Sequence, residues 1–332
     1  MKKVILGILA VIVIGIYYYV TIPAINIHAA GFWYFWMVVL LAAMAVCVVR
    51  KLFKNGGAAA GVTGGDIKQM LKGSLLLKIL LILFGAVVVV FIAGSLLSST
   101  FFNAAKYQQL LTVEERVFTD DIKEVDFNTI PLLDKDSAAL LGDRKMGSMV
   151  DMVSQFTVSN DYTQINYQGR PVRVTPLSYA SPIKWLTNNK QGIPAYMLID
   201  MATQDTQSVK LDQGIRYSKS EYFNRYIYRH LRFKYPTYIF SDQIFFEIDD
   251  EGVPYWVCPV KKFNIGLFGG ETVGFFFSGT STFMSHLPWN TACSSITMTL
   301  VDTSPSTLAV AVSSVFSGAV TPPRTSPPMT AA

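Results

Sequence analysis

Three apolar runs of 17–20 residues fill most of the first hundred positions: Val4–Val20, Phe32–Val49 and Ile79–Ser98. At ~1.5 Å of rise per residue each is long enough, as a helix, to cross a hydrocarbon layer ~30 Å thick. Aromatic residues cluster at their ends, in Tyr17-Tyr18-Tyr19 and in Phe32–Trp36, where amphipathic rings settle at the headgroup level. None of the runs contains Asp, Glu, Lys, Arg or His. Ion-coupled carriers and proton channels place such groups inside the bilayer to form their path, so the three runs read as an anchor.

The basic residues orient this anchor. All eight Lys and Arg of residues 1–100 lie at Lys2 and Lys3 or in the segment 50–78, and the turn 21–31 carries no Lys, Arg, Asp or Glu. Basic loops stay preferentially on the cytoplasmic side. The expected topology therefore has the N-terminus and a cytoplasmic loop 50–78 inside, with 21–31 and everything after Ser98 outside. Cleavage of residues 1–30 as a signal peptide is the rival reading, because Lys2-Lys3 and the apolar run that follows fit one. It leaves the large domain outside as well.

Charged residues make up 15% of the chain, against ~25% in soluble proteins. Residues 101–271 nevertheless carry nineteen basic and twenty-one acidic side chains, so no basic domain is present to follow a phosphate backbone, and no nucleic-acid partner is expected. Cys47, Cys258 and Cys293 have neither the spacing of a disulfide framework nor that of a metal site.

Beyond the anchor (1–100), residues 101–153 read as a stalk and connecting segment. Asn103–Val113 extends the third helix, and Asp136 caps a short helix over Ser137–Leu141. From Ser154 to Glu271 the period changes to two. Gln155–Val158 and Tyr162–Tyr167 flank the turn Ser159-Asn160-Asp161, Ala195–Met201 pairs with Gln207–Leu211, and Ile244–Ile248 pairs with Val253–Val260. Ser218-Lys219-Ser220-Glu221 has the form of a capping box, followed by Phe223, Tyr226, Ile227 and Leu231 at helical spacing. The expected fold is a three-helix transmembrane anchor plus an extracytoplasmic α+β domain (154–271) of antiparallel hairpins packed on that one amphipathic helix.

The chemistry-bearing candidates are few. Glu247, Asp249, Asp250 and Glu251 cluster in one hairpin turn and form the candidate cation site, although they lack the twelve-residue spacing of an EF-hand. Arg225, Arg229 and Arg232, interleaved with Tyr226, form the densest basic-aromatic stretch and the candidate contact for an anionic polymer or lipid headgroups. His230 is the sole histidine between the anchor and the tail. It motivates a hydrolase reading, but no Gly-x-Ser-x-Gly elbow accompanies it. The glycines of 56–65 lack the Lys-Ser/Thr ending of a phosphate-binding loop, and Gly266–Gly274 does not open a helix after a strand. No cofactor is expected.

After Glu271 the composition breaks: of residues 272–332 only Asp302 and Arg324 are charged, among abundant Ser, Thr, Ala and Pro. A disordered wall-spanning stalk is one reading. The preferred expectation is an out-of-frame tail, which reading the encoding DNA in its other two frames decides. The stretches Gly142–Gly147 (GDRKMG), Tyr162–Val174 (YTQINYQGRPVRV), Gly192–Asp200 (GIPAYMLID) and Phe246–Val257 (FEIDDEGVPYWV) resemble an uncharacterised family of large membrane-anchored proteins of clostridia-like Gram-positive bacteria. That resemblance implies membrane anchoring and a longer extracytoplasmic domain, and it brings no activity. The expected function is a plasma-membrane, multi-pass binding or structural protein whose partners are the bilayer and either an envelope polymer or a membrane protein. An accessory transport or secretion subunit and an envelope hydrolase or peptidase are the alternatives.

Overall fold

The structure, a computed structural model, describes residues 2–54, 74–110 and 130–280. The glycine-rich part of the 50–78 loop, the expected stalk beyond Leu110 and the tail with Cys293 lie outside the described residues. The chain divides into two compact units. One comprises Met1–Leu110, Leu231–Ile239 and Lys262–Thr272, and the other holds the remainder.

In the first unit, helices α1 (Lys2–Thr21), α2 (Ala30–Lys54), α3 (Leu75–Leu97) and α4 (Thr100–Gln108) follow in order. Two are long and apolar enough to cross a membrane: α2 over Ala30–Lys51, and α3. The apolar stretch of α1 over Gly7–Thr21 is shorter. Side chains such as Val11, Ile82 and Val89 stay 65–70% exposed, which an apolar solvent stabilises and water does not. Ser74 caps α3 through Leu77 N. The third helix does not continue as a stalk: it stops at Ser98, α4 starts anew at Thr100, and Asn103 leaves helical geometry within it.

The second unit is built on two sheets of antiparallel strands. Its first helix, α5 (Lys135–Gly147), starts two residues earlier than expected. Asp134 rather than Asp136 caps it, accepting from Ser137 N at 2.7 Å. The first sheet has the order β1-β3-β4-β5, with β2 also on β3 (β1 Phe156–Val158, β2 Thr163–Tyr167, β3 Arg170–Tyr179, β4 Ile193–Asp200, β5 Thr206–Ile215). The expected hairpin of 155–158 with 162–167 does not form. Both strands instead pair with β3, β1 along Leu177–Tyr179 and β2 along Arg170–Val174. A ten-residue strand offers each of them a longer and better-patterned edge than they offer each other. The β2–β3 turn consists of Gln168 and Gly169, both at positive φ (50° and 78°), as a two-residue primed turn requires. No neighbouring atom lies within 4 Å of a Cβ built on Gly169. Gly169→Val therefore introduces backbone strain alone and is expected to cost roughly 1–2 kcal/mol, read as a lower thermal midpoint.

Alternation on β4 separates two faces. Ile193, Ala195, Met197 and Ile199 are fully buried on one, and Ile199 joins Leu133, Ala138, Tyr162 and Met201 in a core beneath α5. This helix, well before the expected one in the chain, covers that sheet face. Between β3 and β4 lies α6 (Pro182–Asn188), which Ser181 caps through Lys184 N.

The second sheet has the order β6-β8-β7, with β9 on β8 (β6 Ile239–Phe240, β7 Phe245–Ile248, β8 Pro254–Ile265, β9 Gly269–Gly279). The hairpin expectations hold for β4–β5 and β7–β8, both antiparallel. Strand β9 runs to Gly279, so the fold continues past the compositional break at Glu271.

The capping box at Ser218–Glu221 does not open a helix. Residues 223–225 form one 3₁₀ turn with Phe223 at φ 51°, and α7 begins only at Ile227 (Ile227–Lys234). Glu221 is unavailable as a cap, because tertiary partners hold both of its oxygens.

Candidate functional site

A cavity of about 980 Å³ among the described residues is an open groove over the other face of β3, β4 and β5. Register places Leu198 opposite Gln207 and Tyr196 opposite Val209, so an apolar floor of Leu198 and Val209 carries an amide at its side. The β7–β8 turn forms one wall: the Tyr196 hydroxyl donates to Gly252 O at 2.9 Å, and Gln168 Nε2 donates to Asp250 O at 3.2 Å. Burial pushes the Tyr196 phenol up to about 12, so it stays a neutral donor. A bulge in β5 forms the opposite rim. Pairing passes from Ala195↔Lys210 directly to Ile193↔Ile215, which loops out residues 211–214 and leaves Asp212 and Gln213 exposed.

The charges around the groove are largely matched. Asp200 accepts from Ala202 N and Thr203 N, each at 2.9 Å, and lies 3.8 Å from Arg170. Burial alone would raise its carboxyl, but the backbone N–H groups of Thr203 and Ala202, the Thr203 side chain and the Arg170 charge together outweigh that and hold it below the ordinary value. Lys210 pairs with Asp151 at 3.3 Å, and Asp205 accepts from Gln207 Nε2 at 2.7 Å. Asp212 and Glu251 complete the acidic side.

The four acids of the expected cation site do not converge. Asp249 spends Oδ1 on Glu251 N and Val253 N, closing its own turn. Asp250 and Glu251 follow on that turn, with Glu251 on the groove rim. Glu247 is 2% exposed on β7, opposite Tyr255, whose hydroxyl donates to Oε2 at 3.3 Å. The alternation of a strand explains the split, since a residue before the turn faces the interior while those within it face water. Among the described residues no three His, Cys, Asp or Glu side chains are grouped to hold a metal ion.

Nor do the arginines form one basic face. Arg225 donates to Asn189 O, and Arg229 donates to Phe223 O at 2.8 Å while lying 5.5 Å from the centre of the Tyr226 ring. Arg232 belongs to the other unit, where it donates to Ile22 O at 3.0 Å and to Tyr238 O, and burial lowers its pKa. All three guanidinium groups satisfy backbone carbonyls of loops. Tyr226 and Arg229 do line a smaller cavity of about 500 Å³ with Lys219, Tyr222 and Phe223. Glu221 sits in it, 3% exposed, accepting from Tyr179 OH at 2.8 Å and from Trp185 Nε1 at 2.6 Å. Burial raises its pKa against those two bonds and the nearby Arg225 charge. His230 stacks on Tyr217 with ring centres 4.1 Å apart and lines neither cavity.

In the first unit, the ends of the apolar helices clasp two later segments. Around the α1–α2 turn, Ile25 N donates to Pro236 O at 2.8 Å, Asn26 Nδ2 donates to Thr237 O at 2.9 Å, and Tyr18 and Tyr19 pack on Phe233. At the end of α3, buried Ser98 Oγ accepts from Leu267 N (2.9 Å) and Phe268 N (3.1 Å) in the β8–β9 turn. The Tyr107 hydroxyl donates to Ser98 O and accepts from Gly270 N, and His28 Nδ1 lies 2.9 Å from Leu267 O. Leu267 approaches so closely that a Cβ on Gly94 would lie 2.4 Å from it. Sequence reading missed both the clasp and the groove. Three glycines in 266–270 were the one visible trace of a tightly held turn.

Comparison with protein families, curated proteins and solved structures returns no match.

Proposed function

We propose that α1, α2 and α3 anchor the chain in the plasma membrane with the N-terminus inside, and that the sheet domain binds a component of the cell envelope outside. The clasp is the observation that carries this reading. Segments 231–239 and 262–272, which lead covalently into the sheets, are bonded to the 22–28 turn and to the Ser98 end of α3. The opposite ends of these helices carry Lys2, Lys3, Arg50, Lys51, Lys54 and Lys78, the charge pattern of a cytoplasmic face. The two segments that lead into the sheets are therefore held at the uncharged ends. The arginines are held by backbone carbonyls and His230 stacks on Tyr217, which favours this reading over an anionic-polymer contact or a hydrolase.

Protease added to intact spheroplasts tests the topology, with tags at the N-terminus and after Leu211. Loss of the Leu211 tag with the N-terminal tag protected is the expected result. Protection of the Leu211 tag places the sheets in the cytoplasm and overturns the reading.

A further inference from the structure

We propose that the groove over β3–β5 binds an uncharged glycan strand, an inference that rests on the outward placement of the sheet domain and names the chemistry of its ligand. The groove is open along the sheet face, so it suits a polymer better than a small molecule that must be enclosed. Its floor, Leu198 and Val209 beside the Tyr167 ring, is a mixed aliphatic and aromatic surface of the kind that packs on the C–H face of a pyranose. Around the floor stand planar amides and carboxylates, Gln213 and Asp212, and the bonded pair Gln207 and Asp205, each of which keeps an oxygen outside that bond. Such groups present two hydrogen-bonding atoms at the spacing of vicinal hydroxyls and supply both donors and acceptors.

Charge narrows the class of polymer. Both cations of the groove already have carboxylate partners, Arg170 with Asp200 and Lys210 with Asp151. The groups left over are acidic or neutral, so phosphate-rich or uronic polymers are disfavoured. A basic peptide would satisfy the acids but would leave the amides and the apolar floor unused. A neutral polyol uses all three.

Saturation-transfer NMR on the full chain in neutral detergent micelles tests the assignment, with cellohexaose and the β-1,4 hexamer of N-acetylglucosamine as probes and hexalysine as the comparison. Saturation of inner-ring protons of at least one hexasaccharide, at roughly millimolar ligand, is expected. Gln207→Ala and Asp212→Ala should each weaken it roughly two- to tenfold, whereas Arg229→Ala, outside the groove, should not. Absence of transfer to either sugar, tighter binding of hexalysine, or equal binding by the groove variants overturns the proposal. The two readings fail separately. A Leu211 tag cut in spheroplasts with no sugar bound removes only the glycan, and a protected tag with sugar bound removes only the envelope.

Discussion

Ser98→Ala is expected to free the β8–β9 turn from the helix ends while leaving the helices themselves in place. The Ser98 hydroxyl accepts from two successive backbone N–H groups, Leu267 and Phe268, at a position 3% exposed. Alanine fits the space but accepts nothing, so two half-buried donors lose their partner. Each orphaned donor costs ~1–3 kcal/mol, and the pair roughly 2–5 kcal/mol. Since ~1.4 kcal/mol is tenfold in an equilibrium, amide exchange across 262–272 should accelerate by roughly thirtyfold to a few thousandfold. Mass-spectrometric exchange on the protein in micelles reads this directly. Ser99→Ala is the control, because the Ser99 side chain makes no capping bond. Equal protection of 262–272 in both variants would show that the clasp is held by Leu267 packing against Gly94 and not by the serine.

The second large effect belongs to Glu247. Burial pushes its carboxyl up to about 8, opposed only by the Tyr255 bond, and its Oε1 has no hydrogen-bond partner among the described residues. The native state therefore holds a proton that the unfolded chain releases near the ordinary value of 4.5. Below that pH both states are protonated, and Glu247 contributes no pH dependence. Between it and about pH 8 only the native state keeps the proton, so stability falls by ~1.4 kcal/mol per pH unit. Above that range both states are ionised and the slope vanishes. Glu247→Gln removes this titration and retains an acceptor for Tyr255. The stability of the variant relative to the parent should rise by roughly 3 kcal/mol between pH 5 and pH 7.5, measured by thermal or denaturant unfolding in one detergent. Groups common to both proteins cancel in the difference. Parallel stability curves would mean that Glu247 is ionised in the folded protein and that a charged partner reaches Oε1.

The apolar runs needed nothing beyond their own residues to be read, because length and unbroken hydropathy are properties of the run itself. The β4–β5 and β7–β8 hairpins were equally legible, since alternation and turn chemistry are properties of neighbouring residues. Where a residue had a choice, local pattern failed. Ser218 and Glu221 have the spacing of a capping box, yet the Tyr179 hydroxyl and the Trp185 indole, 42 and 36 residues away in sequence, take the carboxylate and leave the helix to begin at Ile227. The segment Gln155–Val158 had a turn and a partner in sequence, and β3 presented a longer edge.

The same division holds for the candidate site. Residue types and their order set out apolar helices long enough to cross a membrane, their charge asymmetry and strands of period two. The sequence also set Glu247, Asp249, Asp250 and Glu251 side by side, and only the sheet could turn Glu247 into the interior and leave its neighbours in water. The groove and the Ser98 clasp exist only in three dimensions. The groove wall joins residues 56 and 82 positions apart and the Ser98 bonds join residues 169 and 170 apart, brought together by burial of apolar faces that has no signature in any one stretch of sequence.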